Sequence, residues 1–510
     1  MRNIILITLV LIKVCIVAGQ TSLKEINLKN GEYIVGLKHY TKVDSTRSYR
    51  IHNEFNNQFI NRPIPISIWY PAINTNNSSS KLTVLDYLEI LKEEEEWKNL
   101  PNDFLLDWFS YLWNTPENKV HLSEKVTAFL NLTSLKGKFP VVVYAPSYQA
   151  SSIENFALFE YLASYGFIVI SSPSRGTYTR WLEGGTTKDM ETQSRDVEFL
   201  LKEILKYENI DFDKIALMGF SFGGISNAIT VMKNKKISAL VSLDGTERYN
   251  YAVIEKSPFF KLDRFVIPYI HFAQKEIPEE VLNRDNIPAE LNYKFQLYDS
   301  LKYSNVHSYK LHNLTHSYFS SFGVLFANRD KRQDKSDAEI MASYKLLSEH
   351  ILQFLNATFK NDENAKSFIE NSPEKNGFPE SLISKTMKNP DEKEFDYKDF
   401  NDLALNQDYQ GLIPLYNEII TKHPKLQLEE GMLNTLGLRM SFNSSKQMQG
   451  INVFLLALYI YPKSANLYDS LAEAYFYKKD FPNAISNYEK SLELNPENQN
   501  AIDKLKQLKD

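Results

Sequence analysis

Cysteine is almost absent. Cys15 stands alone among 510 residues, which excludes an intramolecular disulfide and paired-thiolate chemistry. Lys13 and Val14 precede it where a lipoprotein processing box needs small residues, so lipidation is not expected. A basic excess is missing too. The formal charge of −5 leaves no surplus cations to neutralise phosphates, so nucleic acid is not an expected partner. Neither a His-Glu-x-x-His pair nor a glycine-rich nucleotide loop occurs, so no metal and no cofactor is expected. Past the first twenty residues, no apolar run has the length and purity of a membrane span.

The balance that remains, 43% hydrophobic and 24% charged, is that of a globular chain, and its length calls for two or three domains. The 30 Tyr and 31 Phe are spread along the whole chain, as core-filling residues would be. The first residues carry an address. Arg2, an apolar stretch from Ile4 to Ile12 and the small residues Val17-Ala18-Gly19 read as a signal peptide over residues 1–19. Export, to a periplasm or outside the cell, is therefore expected. An uncleaved anchor is the alternative.

Pro63 to Trp69 alternates as an early edge strand would. Residues 82–133 carry Leu85, Leu88, Leu91, Phe104, Leu105, Trp108 and Leu112 at helical spacing, which predicts a helical insertion and a candidate lid. From Phe139 onward, short apolar runs alternate with helical stretches. The runs are Val141–Tyr144, Phe167–Ile170, Ile215–Met218, Ala239–Leu243, Val266–Phe272 and Val306–Leu311. Helices are expected over Phe156–Tyr165, Asp196–Tyr207 and Ile225–Met232. That alternation predicts an α/β fold with a mostly parallel sheet covered on both faces, over residues 20–360. A polar stretch over 361–395 reads as a linker, and 396–510 as all-helical.

Gly219-Phe220-Ser221-Phe222-Gly223 follows one of those strands and opens a helix. A nucleophile elbow needs this context, because small residues beside Ser let the backbone bend sharply and expose the hydroxyl. Ser221 is the candidate nucleophile, and the helix amino terminus behind it favours a forming oxyanion. A base must come later in the chain. His316 sits in a loop after the last predicted strand, and His312 is its near competitor. His271 and His307 fall inside strands and read as structural. Two acids end strands, Asp244 and Glu276. Asp196 reads as a helix-face or structural residue.

Pro63 to Phe319 resembles the platelet-activating-factor acetylhydrolase and dienelactone-hydrolase-like branch of the α/β-hydrolases. The resemblance is carried by Phe139-Pro140-Val141-Val142-Val143-Tyr144, Tyr165-Gly166-Phe167-Ile168-Val169, the elbow, Ser242-Leu243-Asp244 and His316 followed by Phe319. It implies Asp244 as the acid, with Glu276 the alternative, and His316 as the base. It also implies an oxyanion hole built from the backbone N–H of Phe222 and one further donor. Tyr148 falls at that second position, in a loop where Ala145-Pro146-Ser147 replaces the family's His-Gly pair. The activity implied is that of a serine hydrolase acting on small-molecule carboxylic esters through an acyl-enzyme. A peptidase or amidase on the same fold stays open, as does an inactive domain serving a binding module. At the C-terminal end, Tyr468, Leu471, Ala472, Tyr475, Ala484, Tyr488 and Pro496 resemble a tetratricopeptide repeat, with two weaker units before it. Such an array implies a protein partner, or else a stabilising extension.

Overall fold

A computed structural model describes residues 21–53, 56–73, 80–108, 113–284, 287–326, 334–392 and 394–509. The expected signal peptide lies outside these residues. The chain divides into two compact units, Met1–Asp391 and Glu392–Asp510.

The first unit is built on one sheet. Its strands are β1 (Ile34–Asn53), β2 (Asn56–Ile73), β3 (Phe129–Leu130), β4 (Thr133–Ser134), β5 (Phe139–Ala145) and β6 (Ile168–Ser171). They continue with β7 (Ile210–Phe220), β8 (Ala239–Leu243), β9 (Tyr269–Ala273), β10 (Val306–Leu311) and β11 (Ile383–Lys388). The spatial order is β11-β10-β9-β8-β7-β5-β6-β2-β1-β3, with β4 beside β2. From β6 to β10 all neighbours are parallel, while β2 runs antiparallel to β6. This is the strand order of the α/β-hydrolase fold.

The alternation of side chains along β5 explains why both faces must be covered. Val142 and Tyr144 enter one core with the helices Val84–Glu94, Phe156–Ser164 and Asp337–Phe359. Val141 and Val143 enter the other with Thr187–Ile204 and Phe222–Lys233. Among the described residues, no helix is long and apolar enough to cross a membrane.

Four expectations are corrected. The segment containing Pro63 is an inner strand, not an edge; Pro63 and Pro65 are tolerated because β2 meets β6 only over Ser67–Trp69. The helix expected from Asp196 starts at Thr187, where Thr186 and Asp189 form a capping box. The described residues of 82–133, which do not include Leu112, are only partly helical, and Val84, Tyr87, Leu88 and Leu91 are wholly buried in the main core rather than laid over it. Of the stretch read as a linker over 361–395, all but the last four residues belong to the first unit. It forms the helix Glu363–Glu370 and then β11, paired antiparallel to β10. Only Ile383 of β11 is fully buried, and Lys385 turns back to bond the carbonyls of Ile369, Glu370 and Asn371 at that helix's end. An edge strand made of Ser, Lys and Thr looks polar in sequence while still pairing.

The second unit contains, among the described residues, seven helices: Tyr397–Asn406, Leu412–Lys422, Glu430–Ser441, Gln447–Ile460, Ala465–Tyr477, Phe481–Leu494 and Gln499–Lys509. Small residues let neighbours approach closely. Ala472, Ala484 and Ala501 are wholly buried, and a Cβ on Gly437 would sit 2.7 Å from the Phe454 ring.

Candidate functional site

The carboxyl ends of β5, β7, β8, β9 and β10 deliver the candidate residues to one place. Ser221 follows β7 directly, with φ 52° and ψ −117°, a conformation that L-residues rarely adopt. Its strain is held by the neighbours. Its N–H donates to Leu243 O at 3.0 Å, and its carbonyl accepts from Gly224 (3.0 Å) and Thr246 (2.8 Å). The elbow's glycines are steric requirements. A Cβ on Gly219 would lie 2.4 Å from the Gly223 backbone, and one on Gly223 would lie 1.9 Å from Ala145 O.

His316 Nε2 stands 2.9 Å from Ser221 Oγ, and His316 Nδ1 stands 2.5 Å from Asp244 Oδ2. The imidazole is 37% exposed and the aspartate side chain fully buried, so one end of the relay is open and the other dry. The phenyl ring of Phe220 lies against the imidazole at 5.0 Å between centroids. Asp244 follows β8 with φ 42° and spends its other oxygen on two donors, Tyr249 OH at 2.6 Å and Gln274 N–H at 3.0 Å. Burial pushes its carboxyl up, but the hydrogen bond and charge of His316, with those two donors, outweigh burial and hold it below the usual carboxylate range. Gln274 also accepts the His316 N–H through Oε1 at 3.2 Å, which ties the β9 and β10 loops together.

The alternatives go elsewhere. Glu276 is exposed, and Asp244 already occupies His316 Nδ1. His312 bonds Ser384 Oγ at 2.9 Å, and burial lowers its pKa. Burial drives His271 down to about 3 and His307 to about 4, so both stay neutral inside the sheet. Asp196 takes the structural role: it is buried and bonded by Arg62 (3.0 and 2.6 Å) and Arg47 (2.6 Å).

Phe222 opens the helix behind Ser221, and its ring meets that of Tyr148 edge-on at 5.9 Å. The β5 loop therefore touches the elbow. Among the described residues, no hydrogen bond from the Phe222 or Tyr148 N–H joins the turns and loops around the elbow. No group of three His, Cys, Asp or Glu side chains among the described residues is arranged to hold a metal. Sequence reasoning missed Tyr249 and Gln274, which donate to Asp244 Oδ1. It also missed Glu247, a buried carboxyl raised to about 7 by desolvation and bonded by Ser242 OH and Tyr269 OH. Tyr249 was within reach as a donor five residues past Asp244; nothing in the sequence marks Glu247.

Residues 110–252 match the family model described as Esterase FrsA-like. The matched stretch includes the Tyr148 loop, Ser221 and Asp244, and ends before His316. It covers under a third of the chain. The match supports an esterase, an enzyme of the serine-hydrolase kind. A solved structure, a ferulic acid esterase from Streptomyces cinnamoneus, aligns with a TM-score of 0.47 and 16% identity, covering 66% of this chain and 93% of its own. No curated protein sequence matches.

Proposed function

We propose that the first unit is an exported esterase of the acetylhydrolase and dienelactone-hydrolase-like branch, with Ser221 as nucleophile, His316 as base and Asp244 as acid. The reading rests above all on the unbroken Ser221–His316–Asp244 hydrogen-bond chain at a strained elbow. His316 Nε2 takes the Ser221 proton as Oγ bonds to the ester carbonyl carbon. The N–H groups of Phe222 and Tyr148 bind the oxyanion. As the carbonyl re-forms, the C–O bond to the alcohol breaks and the alcohol leaves with the proton from His316. Water then attacks the acyl-enzyme by the same route, and Ser221 recovers its proton. Asp244 fixes the imidazole tautomer and stabilises the imidazolium without itself taking the proton.

The all-helical second unit is read as tetratricopeptide repeats that dock a protein partner, from the spacing of Ala472, Ala484 and Tyr488, all wholly buried. The test of the enzymatic reading is a panel of p-nitrophenyl esters of rising acyl length beside the matching anilides. Ester turnover that disappears in Ser221→Ala supports it. Turnover of anilides alone would move the assignment to an amidase, and no turnover of either would overturn it.

A further inference from the structure

The β5 loop that carries Tyr148 lacks the His-Gly pair common to related loops, yet it is held from both sides by buried carboxylates. Glu154 lies seven residues beyond Ser147 and accepts the Ser147 N–H at 3.0 Å, the Ser147 hydroxyl and Tyr144 OH at 3.1 Å. Glu94 reaches in from the end of the Val84–Glu94 helix and accepts the Ser152 N–H at 3.0 Å with the hydroxyls of Ser151 and Ser152. Both side chains are almost wholly enclosed, each residue only 2% exposed. Between the two anchors lie Tyr148, Gln149 and Ala150, and Gln149 has a φ of 59°. Its carboxamide donates to Arg180 O at 2.6 Å and accepts from Leu182 N–H at 2.9 Å.

Burying a carboxylate is costly, and desolvation pushes both of these up to about 7 against the pull of their hydrogen bonds. Apolar side chains would fill the same space at lower cost. What a carboxylate adds is a fixed position for the backbone N–H groups it accepts. At an oxyanion hole, small errors in that position cost rate.

We propose that Glu154, assisted by Glu94, is a positioning residue for the oxyanion hole: it fixes Ser147 so that the next peptide presents the Tyr148 N–H as the second donor. The proposal rests on the esterase reading above, with Ser221 as nucleophile. Removing one oxyanion donor costs about 10²–10³ in kcat, so a displaced donor should cost about 10- to 100-fold.

The experiment compares Glu154→Leu, Glu154→Asp and Glu154→Gln with the full-length wild type on p-nitrophenyl acetate, together with the rate of fluorophosphonate labelling. Gln keeps all three contacts, because its oxygen can accept from Ser147 N–H and Tyr144 while its amide donates to a rotated Ser147 hydroxyl. Leu removes the contacts, and the shorter Asp withdraws them while preserving the carboxylate. The expected result is a kcat loss of about 10- to 100-fold in Leu and Asp, with KM within twofold and labelling slowed in parallel, and near-complete rescue in Gln. If Leu does not fold, Asp and Gln carry the comparison. Wild-type kcat in Asp, or a loss in Gln equal to that in Asp, overturns the proposal. A wild type that neither labels nor turns over instead overturns the esterase reading beneath it.

Discussion

Replacing Asp244 with Asn changes one atom and one charge, and the structure dictates how the amide must sit. Asp244 Oδ1 accepts from two donors, Tyr249 OH and Gln274 N–H, so the asparagine oxygen must occupy that position. Its NH₂ then faces His316 Nδ1, where Oδ2 stood at 2.5 Å. Two donors cannot share a hydrogen bond, so the imidazole must carry its proton on Nε2 and turn that N–H toward Ser221 Oγ, 2.9 Å away. The base is then in the wrong tautomer. The known cost of that error in a Ser-His-Asp triad is about 10⁴ in kcat, or about 5 kcal/mol at 1.36 kcal/mol per decade. Steady-state hydrolysis of p-nitrophenyl acetate at pH 7 measures it, with Glu276→Gln as the parallel control. The control should stay within twofold of wild type, because Glu276 is exposed and leaves His316 to Asp244. An Asp244→Asn enzyme within tenfold of wild type would refute the tautomer argument.

Other consequences concern stability and boundaries. Glu160 is wholly buried and raised by desolvation from 4.5 to about 7, against bonds from Tyr87 OH and the Thr127 and Ala128 N–H groups. Its folded value lies above its unfolded one, so its contribution is complete below pH 4.5 and is lost as pH rises through about 7. Chemical denaturation should show the stability gap between wild type and Glu160→Gln changing by about 3 kcal/mol from pH 4.5 to 8; a gap independent of pH would contradict this. Asp196→Ala leaves the buried Arg62 guanidinium without its anion, while Arg47 keeps Asp44, and should cost about 3–5 kcal/mol of unfolding free energy. An unchanged melting temperature would count against that. Ending the chain after Asp391 should preserve ester hydrolysis, whereas ending it after Lys360 removes β11 from β10 and should give insoluble protein. Equal behaviour of the two truncations would show that β11 is dispensable.

Legibility followed locality. The elbow could be found because strain, glycines and flanking elements all fall within a few residues of Ser221. His316 and Asp244 were candidates because an α/β fold places its chemistry at strand carboxyl ends, but that rule admitted Glu276 as well, and only the family resemblance favoured Asp244. Long-range polar contacts leave no such trace. Glu94 belongs to the run Glu93-Glu94-Glu95-Glu96, which in sequence resembles a solvated helix face, yet Glu94 is buried against Ser151 and Ser152. Gln274 follows a strand as an ordinary loop residue would, and only the fold brings it to both Asp244 and His316. β11 was misread because hydrophobicity is a poor marker of an edge strand with one buried side chain. β2, 18 residues long, runs well past the alternating stretch from Pro63 to Trp69, because its first residues, Asn56-Asn57-Gln58, are polar and periodicity stops before hydrogen bonding does.

The most direct test of the central claim is the mass of the covalent adduct formed with a fluorophosphonate, mapped by peptide sequencing. One adduct per chain is expected, on Ser221, and none in Ser221→Ala. An unlabelled wild type, or equal labelling of Ser221→Ala, would contradict it.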